Sequence, residues 1–275
     1  MNTAYLESYF NMKNFNILVC EGNTPEEGKI FQDAGIPTHT DSLRQSLSYY
    51  NNNLNIDVLN PCSELNLNKI LPNLKKYDGL IWGGSSLNIY NDSIEIKRQI
   101  YFMKQCFERI KKILAICWGM QVAVTAAGGE VKKGLKGSHI GIANDIELTK
   151  DGINHPIYKD KNNKFNSPAF NFDEVVTVPN SAIHLATNNI NKIQSLQFNS
   201  GISQIWGLQY HPEITYEKMI SIIKFRKDKL INQRNCFKDE NEINKHINFI
   251  EKEIKISEKN LRMIELKNWL DNLKN

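Results

Sequence analysis

Four short apolar runs in the first 117 residues set the strongest limit on what this chain can become. NFNILVCEG (14–22), NIDVLNP (55–61), YDGLIWGGS (77–85) and KKILAIC (111–117) have the length of strands and are flanked by Gly, Pro, Asn or Lys. Between them lie longer segments with helical spacing. TDSLRQSLSYY (40–50) opens on Thr and Asp suited to capping, LNLNKILPNLKKY (65–77) is a broken helical piece, and NDSIEIKRQIYFMKQCFERI (91–110) is a long amphipathic helix. Strands joined through helices pair in parallel, and a parallel sheet needs both faces covered. The expected fold class is α/β, with a mostly parallel central sheet and helices on both sides.

After position 128 the texture changes. GGEVKK, HIGIANDIELT, DEVVTVP, AIHLATN, KIQSLQF and SQIWGLQY are short strand-like pieces separated by Gly, Pro, Asn and Asp, a β-rich second half of the same domain. ITYEKMISIIKFRKDKL (214–230) closes it as a helix. The expected domain spans 1–230, and 231–275 is a C-terminal helical extension. There Ile243, Ile247, Ile250, Ile254, Leu261 and Ile264 form a heptad-like stripe, broken at Ser257 and Asn268. Such a stripe serves either a helix laid on its own domain or a homodimer formed through the C-terminal helix.

The net charge of +4 lies wholly in the tail: residues 221–275 hold 13 Lys+Arg against 9 Asp+Glu, and residues 1–220 hold 21 of each. Charges so mixed read as a solvated helix face and argue against a nucleic-acid surface. Five widely spaced cysteines with no C-x-x-C pair argue against a disulfide framework and a zinc site. The first 15 residues lack a basic region followed by an apolar one, and no eighteen consecutive residues are apolar. The expectation is a cytoplasmic protein that does not enter a membrane.

Within LAICWGMQ (114–121) a thiol stands between an apolar strand and the start of a helix. Parallel α/β sheets carry their sites at the carboxyl ends of strands, and Cys117 is expected at such an end. Gly119 would let the backbone turn without a Cβ clash, and the following helix would direct its positive N-terminus at the sulfur, favouring the nucleophilic thiolate. Such a thiol needs a base. Among six histidines, His211 closes a strand-like run and is followed by Pro212, which fixes a turn, and by Glu213, whose carboxylate can accept the second ring N–H. WGGSS (82–86) ends another strand, where successive glycines let main-chain amides approach a substrate oxygen. The N–H groups of Gly84 and Trp118 then form a candidate oxyanion hole. Each feature alone suits an ordinary core or turn; their conjunction points to acyl transfer on a cysteine.

In that conjunction the chain resembles the class I, or triad-type, glutamine amidotransferases. The motifs are C-x-G-x-Q at Cys117-Trp118-Gly119-Met120-Gln121, H-P-E at His211-Pro212-Glu213, 94 residues further on, and a D-G-apolar-apolar-x-G-G segment at Asp78-Gly79-Leu80-Ile81-Trp82-Gly83-Gly84. The likeness covers residues 15–225 and is greatest to the amidotransferase part of GMP synthase. It implies a flavodoxin-like three-layer α/β/α core with a small β annex. It also implies a catalytic set of Cys117, His211 and Glu213 that attacks the γ-carbonyl of glutamine or a γ-glutamyl amide, forms a γ-glutamyl thioester and releases glutamate. Gly83, Gln121, Asn171 and Phe172 are the expected substrate-binding residues, and no metal or cofactor is expected.

Two departures stand out. In Phe170-Asn171-Phe172-Asp173-Glu174-Val175, Asn171 occupies the place where the family commonly has His. The long polar loop 21–40, with Glu26, Asp33, His39 and the nearby Arg44, is either a lid for this protein's own substrate or simply a loop. His139 is a further candidate for the pocket wall; the other histidines and cysteines read as structural. The fate of the amine stays open. A subunit that passes ammonia to a synthetase needs a partner chain, because the sequence has no G-x-x-x-x-G-K-[ST] loop and no second catalytic domain. A stand-alone hydrolase would cleave a γ-glutamyl amine conjugate. A non-catalytic binding module is the third reading, though it would need none of the three groups together.

Overall fold

A computed structural model describes residues 14–274; the N-terminal residues 1–13, where a leader was sought, and Asn275 lie outside it. The strands are β1 (Asn16–Cys20), β2 (Asn55–Leu59), β3 (Gly79–Trp82), β4 (Lys112–Ile116), β5 (Glu130–Lys133), β6 (His139–Ile140), β7 (Ala143–Leu148), β8 (Lys164–Ser167), β9 (Phe170–Asn171), β10 (Asp173–Thr177), β11 (Ile183–Thr187), β12 (Ser195–Ser200) and β13 (Ser203–Leu208). The longer helices are α1 (Pro25–Asp33), α2 (His39–Tyr50), α3 (Ile94–Phe107), α4 (Trp118–Ala126), α5 (Tyr216–Phe225), α6 (Glu240–Ile256) and α7 (Ile264–Asn272).

One nine-stranded sheet runs in the order β2-β1-β3-β4-β13-β12-β11-β7-β8. The first five of these are parallel neighbours, and the four beyond β13 are added antiparallel. Ile17, Val19, Ile81, Leu114 and Ile116 point to one face, and Leu18, Cys20, Leu80, Trp82, Ile113 and Ala115 to the other. Both sets are apolar because both faces are covered: the first by Leu43 and Leu47 of α2, the second by Phe102 and Met103 of α3 and Val122 and Ala123 of α4. The α/β expectation holds. The β-rich half mostly extends the central sheet from its β13 edge, and only β10–β5 and β6–β9 form separate two-stranded ribbons.

Residues 25–33, expected as loop, form helix α1. The side chain of Thr24 accepts the Glu27 N–H, Pro25 occupies the first helical position where no N–H is needed, and Glu26 and Glu27 sit at the positive end. Only Phe31 of this helix is buried, so its apolar pattern is faint. Helix α2 is capped two residues earlier than expected, by Thr38 in a capping box with Asp41.

The tail stripe is occupied by its own chain. Ile243, Ile247 and Ile250 of α6 are buried with Ile140, Ile142, Tyr216 and Ile223. Met263, Leu266, Trp269 and Leu270 join the cluster that contains Ile17, Leu43 and Ile116. Trp269 fits there because Gly79 has no side chain: a Cβ at Gly79 would lie 2.6 Å from the indole ring.

Candidate active site

The register of the parallel strands brings the site together. Trp82 pairs with Ala115 and Leu208 with Ile116, so the segments leaving β3, β4 and β13 emerge side by side at one edge of the sheet. They carry Gly83-Gly84, Cys117 and Gln209 to Glu213. Cys117 is the N-cap of α4, with φ 53 and ψ −103. A side chain with a Cβ rarely adopts that conformation, which costs on the order of 1–3 kcal/mol. The strained turn therefore sits on the cysteine itself. Gly119 is helical, and its task differs from the sharp turn expected of it: its N–H donates to the Gly83 carbonyl at 3.1 Å, and a Cβ there would collide with the Trp82 carbonyl.

Cys117 is 4 % exposed and lines a cleft whose walls include Ser85, Leu87, Trp118 and Arg226. Gln209 Nε2 donates to the Cys117 sulfur at 3.5 Å, and Gln121 Nε2 lies 3.5 Å from Gln209 Oε1. On the other side stands His211, buried, with its Nδ1 2.7 Å from Glu213 Oε1. Burial alone would lower the proton affinity of this imidazole. The Glu213 carboxylate and the hydrogen-bonded Cys117 sulfur outweigh it and hold the His211 pKa up to about 10. The His211 N–H donates to the Pro168 carbonyl at 2.7 Å, and Ser46 Oγ donates to the Glu213 carbonyl at 3.0 Å.

Gly84 lies against this pair: a Cβ there would be 2.8 Å from His211 Cε1 and 2.7 Å from His39 Cε1. Gly83 is engaged on both sides, donating to the Cys20 carbonyl at 3.2 Å and accepting from Gly119. The cleft wall resumes at Ser85 and Ser86 and includes Trp118, Gln121, Asn171 and Phe172. Asn171 is buried and donates to the Asp173 carbonyl and to Asn191 Oδ1, both at 3.0 Å. Phe172 is covered by the Arg234 guanidinium, 4.6 Å from the ring centroid.

Sequence reasoning missed two groups. His39, read as surface or structural, stacks on His211 with ring centroids 5.3 Å apart, and burial, followed by its charged neighbours, holds its pKa well below 6.5. Its only sequence signal is its place just after a helix cap. Arg226, Lys229 and Arg234 line the cleft together with Asp173. Arg226 reaches Glu27 of α1 at 2.7 Å and Ser86 Oγ at 2.5 Å, which ties α1 to the cleft wall. His139 is not at this cleft: it lies 2.7 Å from Gln194 Nε2 in a separate depression that also includes His246. Cys20 is fully buried, and burial pushes its pKa up. Among the described residues, potential ligand atoms of His39, His211 and Glu213 lie within 4.8 Å of one another, but a metal ion using Nδ1 of His211 would have to break its bond to Glu213.

Fold and site together define a class. The family model for glutamine amidotransferase class-I matches residues 36–227, and the chain belongs to that family. It is 33 % identical over 207 residues to the γ-glutamyl-L-1-hydroxyisopropylamide hydrolase of a Pseudomonas species, covering 74 % of this chain and 69 % of the relative. It is 29 % identical over 154 residues to a glutamine-hydrolyzing GMP synthase subunit of Methanosarcina acetivorans, covering 54 % and 76 %. A crystal structure of a glutamine amidotransferase from Thermotoga maritima superposes with a TM-score of 0.65 at 18 % identity over 95 % of this chain and 99 % of that one, a likeness of fold. Among the described residues no helix is long and apolar enough to cross a membrane.

Proposed function

We propose that this protein hydrolyses the amide bond of a γ-glutamyl amine, with Cys117 as nucleophile, His211 as base and acid, and Glu213 as the group that orients the imidazole. The observation that carries this reading is a buried Glu213–His211 bond of 2.7 Å beside a cysteine on a strained strand-to-helix turn that lines a cleft. The raised proton affinity of His211 keeps a proton on the imidazole at neutral pH, opposite the sulfur. The sulfur attacks the γ-carbonyl carbon, and the oxyanion is received by the N–H groups of Gly84 and Trp118. Collapse breaks the C–N bond as His211 delivers its proton to the departing amine, leaving a γ-glutamyl thioester. Water then gives a proton to His211 and its oxygen to the acyl carbon, and glutamate leaves as the sulfur is restored. Each oxyanion donor contributes about 100- to 1000-fold in rate in sites of this kind.

Gln121, Asn171 and Phe172 bound the cleft where the glutamyl chain would lie. Asp173 beside Arg234 and Lys229 offers both signs of charge to an amino-acid head. The Pseudomonas relative, named for cleaving a γ-glutamyl amide and matched along 74 % of this chain, favours a hydrolase that acts alone. The second reading is a subunit that hands ammonia to a synthetase partner; the likeness to the GMP synthase subunit favours it. Glutamate release by the purified protein from glutamine and from γ-glutamyl alkylamides decides between them, with Cys117→Ala as control. Turnover of the alkylamides, lost by more than about 1000-fold in Cys117→Ala, is expected. Release only from glutamine and only with a synthetase present would select the second reading. Equal turnover by Cys117→Ala would overturn the nucleophile.

A further inference from the structure

The segment that carries His211 and Glu213 is gripped from outside the matched family region. Arg262, in the short helical turn Lys259–Arg262 between α6 and α7, is buried, and its Nη1 donates to the carbonyls of Pro212 and Ile214, both at 2.6 Å. These carbonyls flank Glu213. Three residues further along, the fully buried Glu265 accepts from the Tyr210 hydroxyl at 2.8 Å and pairs with Lys161 at 3.0 Å. The C-terminal extension thus holds residues 210–214 on both sides of the His211–Glu213 pair.

We propose that Arg262 is a positioning residue for the reaction: by drawing two peptide carbonyls onto one guanidinium nitrogen, it sets the turn so that Glu213 meets His211. This rests on the catalytic reading above. The turn leaves the end of β13 and, among the described residues, apart from the Gln209 N–H on Gln194, the His211 N–H on Pro168 and Ser46 on the Glu213 carbonyl, these are the hydrogen bonds that hold its main chain to other segments. Without the guanidinium, two buried carbonyls lose their donor and the turn is free to shift. A displacement near 1 Å at reacting groups costs about 100-fold in rate. Binding of the glutamyl chain is unaffected, because its cleft is lined by other segments.

The test is a pair of full-length variants, Arg262→Lys and Arg262→Gln, with turnover counted per folded molecule, the folded fraction read from the urea-unfolding curve followed by tryptophan fluorescence. Lysine keeps the charge but is shorter; a kcat loss of about 3- to 10-fold is expected, against about 10- to 100-fold for glutamine, with KM within about twofold in both. The alkaline limb of the rate should also move to lower pH, because a loosened Glu213 holds the His211 proton less firmly. His211 is otherwise faced by Cys117 and by His39 of α2, and Glu213 by Lys218 of α5, none of which changes; the Arg262 charge also faces Glu213, and Arg262→Lys keeps that charge whereas Arg262→Gln removes it. Either folded variant with wild-type kcat and pH limb overturns the proposal, even if its unfolding temperature drops. A wild-type protein silent toward every γ-glutamyl compound would instead overturn the catalytic reading. The clamp is then judged by the pH dependence of Cys117 alkylation, which must shift in the variants if Arg262 positions the pair and stay in place if it does not.

Discussion

Replacing Glu213 by Gln keeps the size of the side chain and an acceptor oxygen but removes the charge that faces His211. In the native protein the imidazole titrates near 10 against an ordinary 6.5, despite complete burial that works the other way. That gap corresponds to roughly 5 kcal/mol of preference for the protonated ring, at about 1.4 kcal/mol per tenfold change in proton affinity. Without the carboxylate, the charge that opposes burial most strongly is gone, and the ring gives up its proton at lower pH. A loss of about 100- to 10,000-fold in kcat at pH 7 is expected, and the pH at which iodoacetamide alkylation of Cys117 accelerates should move. Stability supplies an independent reading. Because folding raises the His211 pKa, its contribution is full below about 6.5 and declines as pH rises toward about 10. Urea unfolding of the wild type should therefore lose stability across that window, and the variant should lose much less. The difference between the two proteins is the measure, since Lys218, held down to about 8 by burial, titrates in the same range. A Glu213→Gln protein with kcat within threefold of wild type and an unchanged alkylation profile would refute this account of the pair.

Gly84→Ala places a methyl group 2.7–2.8 Å from both imidazoles, closer than side chains tolerate, so a ring must move; kcat should fall about 10- to 100-fold, and a wild-type kcat would show that the rings are not held against this strand end. Lys161→Met leaves Glu265 buried with only the Tyr210 hydroxyl for a partner. Breaking a buried pair in this way should cost about 3–5 kcal/mol in urea unfolding, and a loss below about 1 kcal/mol would show the pair to be dispensable.

The parallel half of the sheet was legible because its strands are apolar on both faces and separated by helical periodicity. The meeting of Cys117, Gly84 and His211 was legible because each stands within three residues of a strand's end, and the ends of neighbouring parallel strands meet wherever the chain folds that way. Helix α1 was not: it buries Phe31 alone, so its signal lay in the Thr24-Pro25-Glu26-Glu27 cap and not in any apolar stripe. His39 lies 172 positions from the ring on which it stacks, and no local pattern encodes that meeting. The stripe of Ile243, Ile247 and Ile250 announced a buried face, but periodicity states that a face is covered and not by what. Only the position of β6 and α5 beneath it shows that the cover is the same chain.

In the proposed reaction, Cys117, His211 and Glu213 act on the carbonyl carbon, which constrains the acyl half of the substrate and leaves the amine half free. Whatever selects the amine must border the same cleft and differ among proteins that share the chemistry. Outside the matched region, residues 228–234 border the cleft directly, through Lys229, Leu230 and Arg234, and α1, before the matched region, is tied to its wall from behind. Arg226 joins them, bonded to Glu27 of α1 and to Ser86 two positions beyond Gly84, with its guanidinium over Phe31 at 5.1 Å. Lys229 and Arg234 follow it on the cleft wall. A route for free ammonia alone has no use for a charged latch at the mouth of the cleft, whereas a substituted amine needs a surface to lie against. On the proposed reading, that asymmetry assigns the choice of leaving group to the Arg226–Arg234 segment and the α1 contact it makes, with Cys117, His211 and Glu213 indifferent to it.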